Sequence, residues 1–348
     1  MNDLLRQAIR EMADETRPAG DLAVGAMARG RQLRRRRRAA VGAAAALLVL
    51  ITFIPYAVLR DTHRQETPAV DPTPTPTIGH PPWSPDKPFG LPGGWMVTGL
   101  AGDTDAVFDT GTGKYRLLEK DFTGIWVSPD ARYAAVTDDI HPYIGLLDLH
   151  SQRLTWTTVG FVLEPQWSSD SASLLLTGTD RFTVITAATG KVHRHPLDER
   201  FSCLDYCLYT WLPGDKEVAL AKVGVNGSET NGPTVSALTV LDATTGEWTR
   251  DLAVPGVPPG QDAWSPDGSM VIVRGDGKEP NLLRIADVTT GKIRTRLATT
   301  RAFFISDDRI IGFENGTAVL MDLRGRAIAK QDFPEELTDL SLSYGPGR

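Results

Sequence analysis

The feature that most constrains this chain is a repeat. Trp264-Ser265-Pro266-Asp267-Gly268 has relatives at Trp83-Ser84-Pro85-Asp86, Trp126-Val127-Ser128-Pro129-Asp130, Trp167-Ser168-Ser169-Asp170, Trp211-Leu212-Pro213-Gly214-Asp215 and, degenerate, Phe304-Ile305-Ser306-Asp307-Asp308, spaced 43, 41, 44, 53 and 40 residues apart. Between them runs a second signal: Asp109–Lys114, Asp148–Ser151, Ala188–Lys191, Asp242–Glu247, Asp287–Lys292 and Asp322–Gly325, most carrying Thr-Gly. Two signals in one phase leave little room for chance.

Each signal reverses the chain. In Ser-Pro-Asp-Gly the Ser opens a type I turn, Pro presets φ at the second position, Asp tolerates the third and Gly exits. The Thr-Gly element turns the chain again, its Gly supplying φ > 0. Between the turns lie short β-rich runs such as Tyr133–Val136, Leu174–Leu176, Val218–Leu220, Met270–Val273, Ile310–Phe313 and Leu238–Leu241. A unit of about 43 residues therefore holds about four strands and no helix. Such a unit cannot bury both faces alone and must stack on its neighbours around an axis. Six units fit residues 83–348, the tryptophans read as packing between units, and Leu337–Leu342 is a candidate strand for closing the ring onto the first unit.

At Trp264–Gly268 and the Ser-Met-Val-Ile-Val that follows, the chain resembles TolB-like propellers. The Asp-x-x-Thr-Gly-Lys elements at 109–114 and 287–292 are similar to those of YVTN and WD-repeat-like bacterial propellers. The resemblance covers about residues 83–345 and implies an all-β, six-bladed propeller. It does not select a function, since propellers host binding modules and enzymes alike.

Ahead of the repeats the chain changes character. Residues 1–38 carry ten Arg, no Lys and five acids, for +5, whereas everything after the uncharged stretch 39–59 sums to −11. The twenty-one residues of 39–59, as a helix of roughly 31 Å, match a bilayer core of about 30 Å. Arg34, Arg35, Arg36, Arg37 and Arg38 precede it and a mixed stretch follows, which places the N-terminus in the cytoplasm and the repeats outside. A cleaved signal peptide shares the same outline, but Tyr56-Ala57-Val58-Leu59-Arg60 offers no Ala-x-Ala. The arginine run has no interleaved aromatic residue, and the acidic remainder repels a polyanion, so nucleic acid is not an expected partner. Residues 60–82, with prolines at 68, 72, 74, 76, 81 and 82, read as an extended stalk reaching up to roughly 70 Å. The expected organisation is a basic tail over 1–38, a transmembrane helix over 39–59, a stalk over 60–82 and the propeller over 83–348. Arg- and Ala-rich anchors with Thr/Pro stalks are similar to those of actinobacterial envelope proteins.

Chemistry is sparse. The sequence contains no Gly-x-Ser-x-Gly elbow, dinucleotide fingerprint or phosphate loop, so a propeller enzyme (hydrolase or lyase) is the third reading, and no cofactor or metal is expected. His193 and His195 would share a strand face, but no third ligand accompanies them. The acidic pairs Asp103/Asp105, Asp138/Asp139 and Asp307/Asp308 lack a calcium loop's spacing. Cys203 and Cys207, beyond the membrane, are read as a local disulfide, the other reading being two free thiols. The long fourth unit owes its length to Val223–Ser236, where Asn226, Glu229 and Asn231 are the candidate binding residues. In the tail, Leu4, Leu5, Ala8, Ile9 and Met12 line one helical face suited to a cytoplasmic protein or the membrane surface. The tail resembles short heads of actinobacterial membrane proteins linked to extracytoplasmic-function sigma factors. The leading expectation is an anchored, non-catalytic propeller binding a protein or glycan outside; the second is a transmembrane regulator acting through that tail.

Overall fold

The computed structural model describes residues 77–78 and 83–347, apart from 103–104, 119–121, 142, 162, 179, 198–207, 224–234, 276–281 and 339. The tail, the apolar stretch 39–59 and the stalk before Thr77 lie outside the described residues, among which no helix is long and apolar enough to cross a membrane.

The described residues form six sheets, antiparallel but for one added parallel strand, that succeed one another as the blades of a propeller. Blade 2 pairs Gly124–Val127, Tyr133–Thr137, Ile144–Asp148 and Leu154–Thr157 in sequence order from inner to outer strand. Blade 3 repeats this with Gln166–Trp167, Ser173–Thr177, Arg181–Thr186 and Val192–Pro196. Blade 4 does so with Tyr209–Trp211, Glu217–Val223, Val235–Asp242 and Trp248–Leu252. Blade 6 uses Arg301–Ser306, Arg309–Glu314, Thr317–Asp322 and Ala327–Asp332. Every β-rich run read from the sequence after a Trp-Ser-Pro-Asp turn is the second strand of its blade.

Blade 5 keeps three strands, Met270–Arg274, Leu283–Asp287 and Ile293–Leu297. Its inner strand shrinks to a bridge between Trp264 and Val271. The approach to Trp264 runs through Pro258 and Pro259, which have no N–H for a ladder, and a 3-10 turn at Gln261–Ala263.

Blade 1 is shared by the two ends of the propeller. Trp95–Ala101, Ala106–Asp109 and Lys114–Leu117 supply three strands, and Ser341–Pro346 pairs antiparallel with Trp95–Ala101 as the innermost. Ring closure by the C-terminal segment is thus as the sequence reading had it, but shifted. The strand begins at Ser341, because Pro334 and two acids at its N-terminal end set up one turn of helix at Glu335–Thr338. Gly345 is required in this strand, since a Cβ there would lie 2.1 Å from the Pro129 carbonyl oxygen of blade 2.

The first Trp-Ser-Pro-Asp element is the exception among the six. With the inner strand of blade 1 arriving from the C-terminus, Trp83–Asp86 does not turn between inner and second strands. It packs instead beside the outer hairpin: Tyr115 N donates to Pro85 O at 2.6 Å and Lys114 Nζ meets Asp86 at 2.9 Å. Thr77–Ile78, from the segment read as stalk, pairs parallel with Lys330–Gln331 and adds a fifth strand to blade 6.

Apolar residues fill the spaces between blades. Trp167 Nε1 donates to Trp126 O at 2.8 Å and Trp211 Nε1 to Gln166 O at 3.2 Å, so each indole binds the inner strand of the preceding blade. Trp167 and Trp211 are inter-blade packing, as read, whereas Trp83 lies against Tyr115 of blade 1's own outer strand. The closing seam between blades 6 and 1 is aromatic: Phe303, Phe313, Phe333, Phe89, Tyr344 and Trp95 form a continuous chain with centroids 5.0–5.8 Å apart.

Candidate functional site

Because neighbouring strands are antiparallel, the connections fall into two sets. First-to-second and third-to-fourth strand turns share one face of the ring, the turn face. Second-to-third connections and the passages between blades share the other, the loop face.

The turn face is built of short, hydrogen-bonded turns. In blades 2, 3 and 5 the buried Ser hydroxyl (Ser128, Ser168, Ser265) donates to the Asp two residues on at 2.6–2.7 Å and accepts from the N–H five residues on at 2.9–3.0 Å. Three of these turns also grip the next blade's turn. Asp130 N donates to Ser171 Oγ at 3.1 Å, Asp215 accepts from Ser169 N, Ser169 Oγ and Asp170 N, and Asp267 N donates to Asp307 at 2.8 Å. The Asp opening each outer turn is likewise occupied: Asp109, Asp148, Asp242, Asp287 and Asp322 all accept backbone N–H bonds. Those bonds hold the carboxyls of Asp109, Asp148 and Asp242 below the usual range, at Asp148 against burial that would raise it. At Asp322 the Arg326 guanidinium does most to outweigh burial, and for Asp287 the Arg294 guanidinium brings the pKa to about 2. The side chains here are committed to the fold.

The loop face differs most clearly at blade 2. Asp138 Oδ1 accepts from Ile140 N at 3.0 Å and His141 N at 2.6 Å, and Asp138 Oδ2 lies 2.9 Å from His141 Nδ1. Burial would raise the Asp138 pKa, but the His141 and Ile140 bonds outweigh it and hold the carboxyl low. The His141 ring lies flat on Trp156, centroids 4.2 Å apart and 15° from parallel. A loop tied down this way thrusts Ile140 into solvent at 82% exposure. Tyr143 in the same loop and Leu163 in the passage to blade 3 are also exposed, as is Leu117 at the end of blade 1's outer strand. Four of the six large apolar side chains exposed among the described residues therefore stand on or beside the loop face of blades 1–3.

A second polar concentration lies between blades 3 and 4. Thr177, Phe182 and His195 are direct cross-strand partners on one face of blade 3. Phe182 packs on the His195 ring at 4.7 Å and on Tyr209 of blade 4 at 5.0 Å. His195 Nε2 and Tyr209 Oη are buried with no hydrogen-bond partner. Burial, then the neighbouring His193, lowers the His195 pKa, and burial raises that of Tyr209. His195 is thus a core side chain; among the described residues no group of three His, Cys, Asp or Glu is placed to hold a metal.

Of the residues singled out from the sequence, Cys203 and Cys207 belong to the passage from blade 3 to blade 4, and Asn226, Glu229 and Asn231 to the second-to-third connection of blade 4. Both segments lie outside the described residues, as do Arg34–Arg38; the strands they join end at the loop face. The Asp138/Asp139 pair, read only as a weak calcium candidate, contains the residue that shapes the most exposed loop. Ile140 was missed, since an isolated Ile in the sequence carries no sign of its exposure.

The class these observations define is a six-bladed β-propeller whose first blade is closed by the C-terminal strand. No protein-family profile and no curated protein matches the chain. Among solved structures it is similar to TolB from Acinetobacter baumannii, 18% identical with a TM-score of 0.49 over 73% of this chain and 67% of that one. It is also similar to Kuenenia stuttgartiensis hydrazine synthase, 17% identical with a TM-score of 0.36 over 59% of this chain and 57% of that one. Neither likeness is near enough to carry a function across.

Proposed function

We propose that the chain is a membrane-anchored, extracytoplasmic binding module, without catalysis of its own, that presents the loop face of its propeller to a protein or glycan ligand. The asymmetry of the two faces carries this reading: the turn face consumes its polar groups in holding blades together, and the loop face exposes apolar side chains. The path of the chain supports it. Thr77–Ile78 runs parallel to Ala327–Asp332, from the turn face toward the loop face, so the described chain enters the ring from the turn side. The anchor is the uncharged stretch 39–59, oriented by Arg34–Arg38.

The test places a photocrosslinking amino acid in the full-length protein at Tyr143, at Leu163 or, on the turn face, at Arg153. Adducts from the first two positions and none from Arg153 are expected, together with protease sensitivity of the propeller in intact spheroplasts. Adducts only through Arg153, or a protected propeller, would overturn the arrangement.

The tail favours a second reading, a regulator whose outer occupancy alters what residues 1–30 bind inside. Leu4, Leu5, Ile9 and Met12 make one apolar face, and a helix this short is marginal without something to cover it. Leu5→Asp with Ile9→Asp should release a co-purifying cytoplasmic protein while membrane insertion persists; a wild-type tail that retains no such protein would remove this reading.

A further inference from the structure

We propose that the loop face over blade 2 docks a basic, apolar-tipped segment of a partner protein. This deepens the binding-module reading and rests on it. The first observation is a preformed anchor. Ile140 stands 82% exposed on a loop fixed by two backbone N–H bonds to Asp138 and by the His141–Trp156 stack, with Tyr143 exposed in the same loop and Leu163 exposed in the passage that follows blade 2. A rigid apolar projection gives up little conformational freedom on binding, the property that makes a side chain an anchor.

The second observation is charge. The described residues of the loop-face connections include eight acids, Asp105, Asp138, Asp139, Glu164, Asp180, Asp262, Glu335 and Glu336, and no Lys or Arg. The exposed bases nearest them stand at strand ends of blades 3 to 6, where Arg181 pairs with Asp180 and Lys222 with Asp251, and Arg274 and Arg301 follow, so the acid excess is clearest over blade 2. Arg132, Arg153, Lys191, Lys216, Lys292, Arg324 and Arg326 all sit in turns of the opposite face. Exposed Glu164 adjoins Leu163 as exposed Asp139 adjoins Ile140, so acid and apolar groups are neighbours in both connections. An excess of one sign steers and selects the opposite sign, and the apolar tips demand that this partner also bring a greasy contact. Polyanions are repelled, and a neutral glycan would leave the charge unused.

The experiment uses the full-length protein in detergent and three fluorescein-labelled 18-residue peptides: amphipathic Leu/Lys, its Leu/Glu counterpart, and a Lys/Gly peptide of equal charge without Leu. Anisotropy titrations at 50 and 300 mM salt should show the Leu/Lys peptide binding, weakening about tenfold at the higher salt, and the other two binding at least about tenfold more weakly. Ile140→Ser and Glu164→Lys should each weaken the Leu/Lys peptide about fivefold or more, whereas Arg153→Gln on the turn face should leave it unchanged. Equal binding of the Leu/Glu or Lys/Gly peptide, indifference to Ile140→Ser, or no binding of the Leu/Lys peptide at 50 mM salt would overturn the proposal. If that happens while Tyr143 and Leu163 still crosslink a ligand, the binding-module reading stands and only the partner's chemistry is wrong.

Discussion

At the scale of single residues, the ring is fastened by side chains that serve two blades at once. Asp215 of blade 4 takes three hydrogen bonds, at 2.6–3.1 Å, from the turn of blade 3. Asp215→Ala leaves Ser169 N, Ser169 Oγ and Asp170 N to water. Because the site is half-exposed, the expected cost is about 1–2 kcal/mol, read as a fall in Tm of roughly 2–8 °C; an unchanged Tm would mean the turns do not couple blades. The inner half of this design was legible beforehand. A Ser-x-Asp spacing implies the Ser–Asp bond within each turn, and it is there in Ser128, Ser168 and Ser265. The outer half was not, since Asp215 belongs to the degenerate Trp-Leu-Pro-Gly-Asp unit and its partner lies about one repeat away. Ile140 was hidden for the same kind of reason: exposure depends on what packs beside a loop, and hydrophobicity alone reads as core.

Among the elements, the closing strand bears the most on stability. Ser341–Pro346 is held by its ladder to Trp95–Ala101 and by Tyr344, which stacks on Phe303 and Phe313 at 5.4 and 5.1 Å. Phe303 is the hub, touching Trp95, Phe313 and Tyr344. Phe303→Ala should therefore cost about 3–5 kcal/mol, measured by urea unfolding of the purified protein, and deleting 341–348 should cost more, because blade 1 then loses its inner strand. A deletion variant with the wild-type midpoint would refute closure. The sequence reading found the right segment from its alternating apolar residues and misplaced its start, because Pro334 and the acids after it form a helical turn first. It also counted Trp83–Asp86 as a full unit. The motif is local chemistry, and whether an inner strand precedes it depends on ring closure, which no local pattern records. Blade 5 shows the converse: its complete pentapeptide sits beside the most reduced inner strand, since the two prolines upstream decide the pairing.

For the molecule as a whole, the number of blades was legible because a repeat of about 43 residues has one mechanical solution, whereas the contrast between faces emerges only when connections are sorted by strand direction. That sorting also predicts how the ring answers acid. The five outer-turn aspartates have folded-state pKa values below the unfolded value of about 3.9. Their contribution is present above about pH 4 and is lost as pH falls through the folded values toward about 2, the value for Asp287. His195 acts in a different window. Its folded pKa is lowered by burial, so the fold holds it neutral, and below about pH 6.5 the unfolded chain takes up a proton that the folded chain refuses. Stability should therefore fall in two stages, first as pH drops from about 7 toward 5 and again below about 4. Urea midpoints measured from pH 8 to pH 3 should show both stages in the wild type. His195→Gln should flatten the first and keep the second, whatever it does to absolute stability, because only the slope reports the proton. Identical slopes between pH 7 and 5 in the two proteins would mean that His195 is not the group held neutral, and that acid acts on the ring only through its turns.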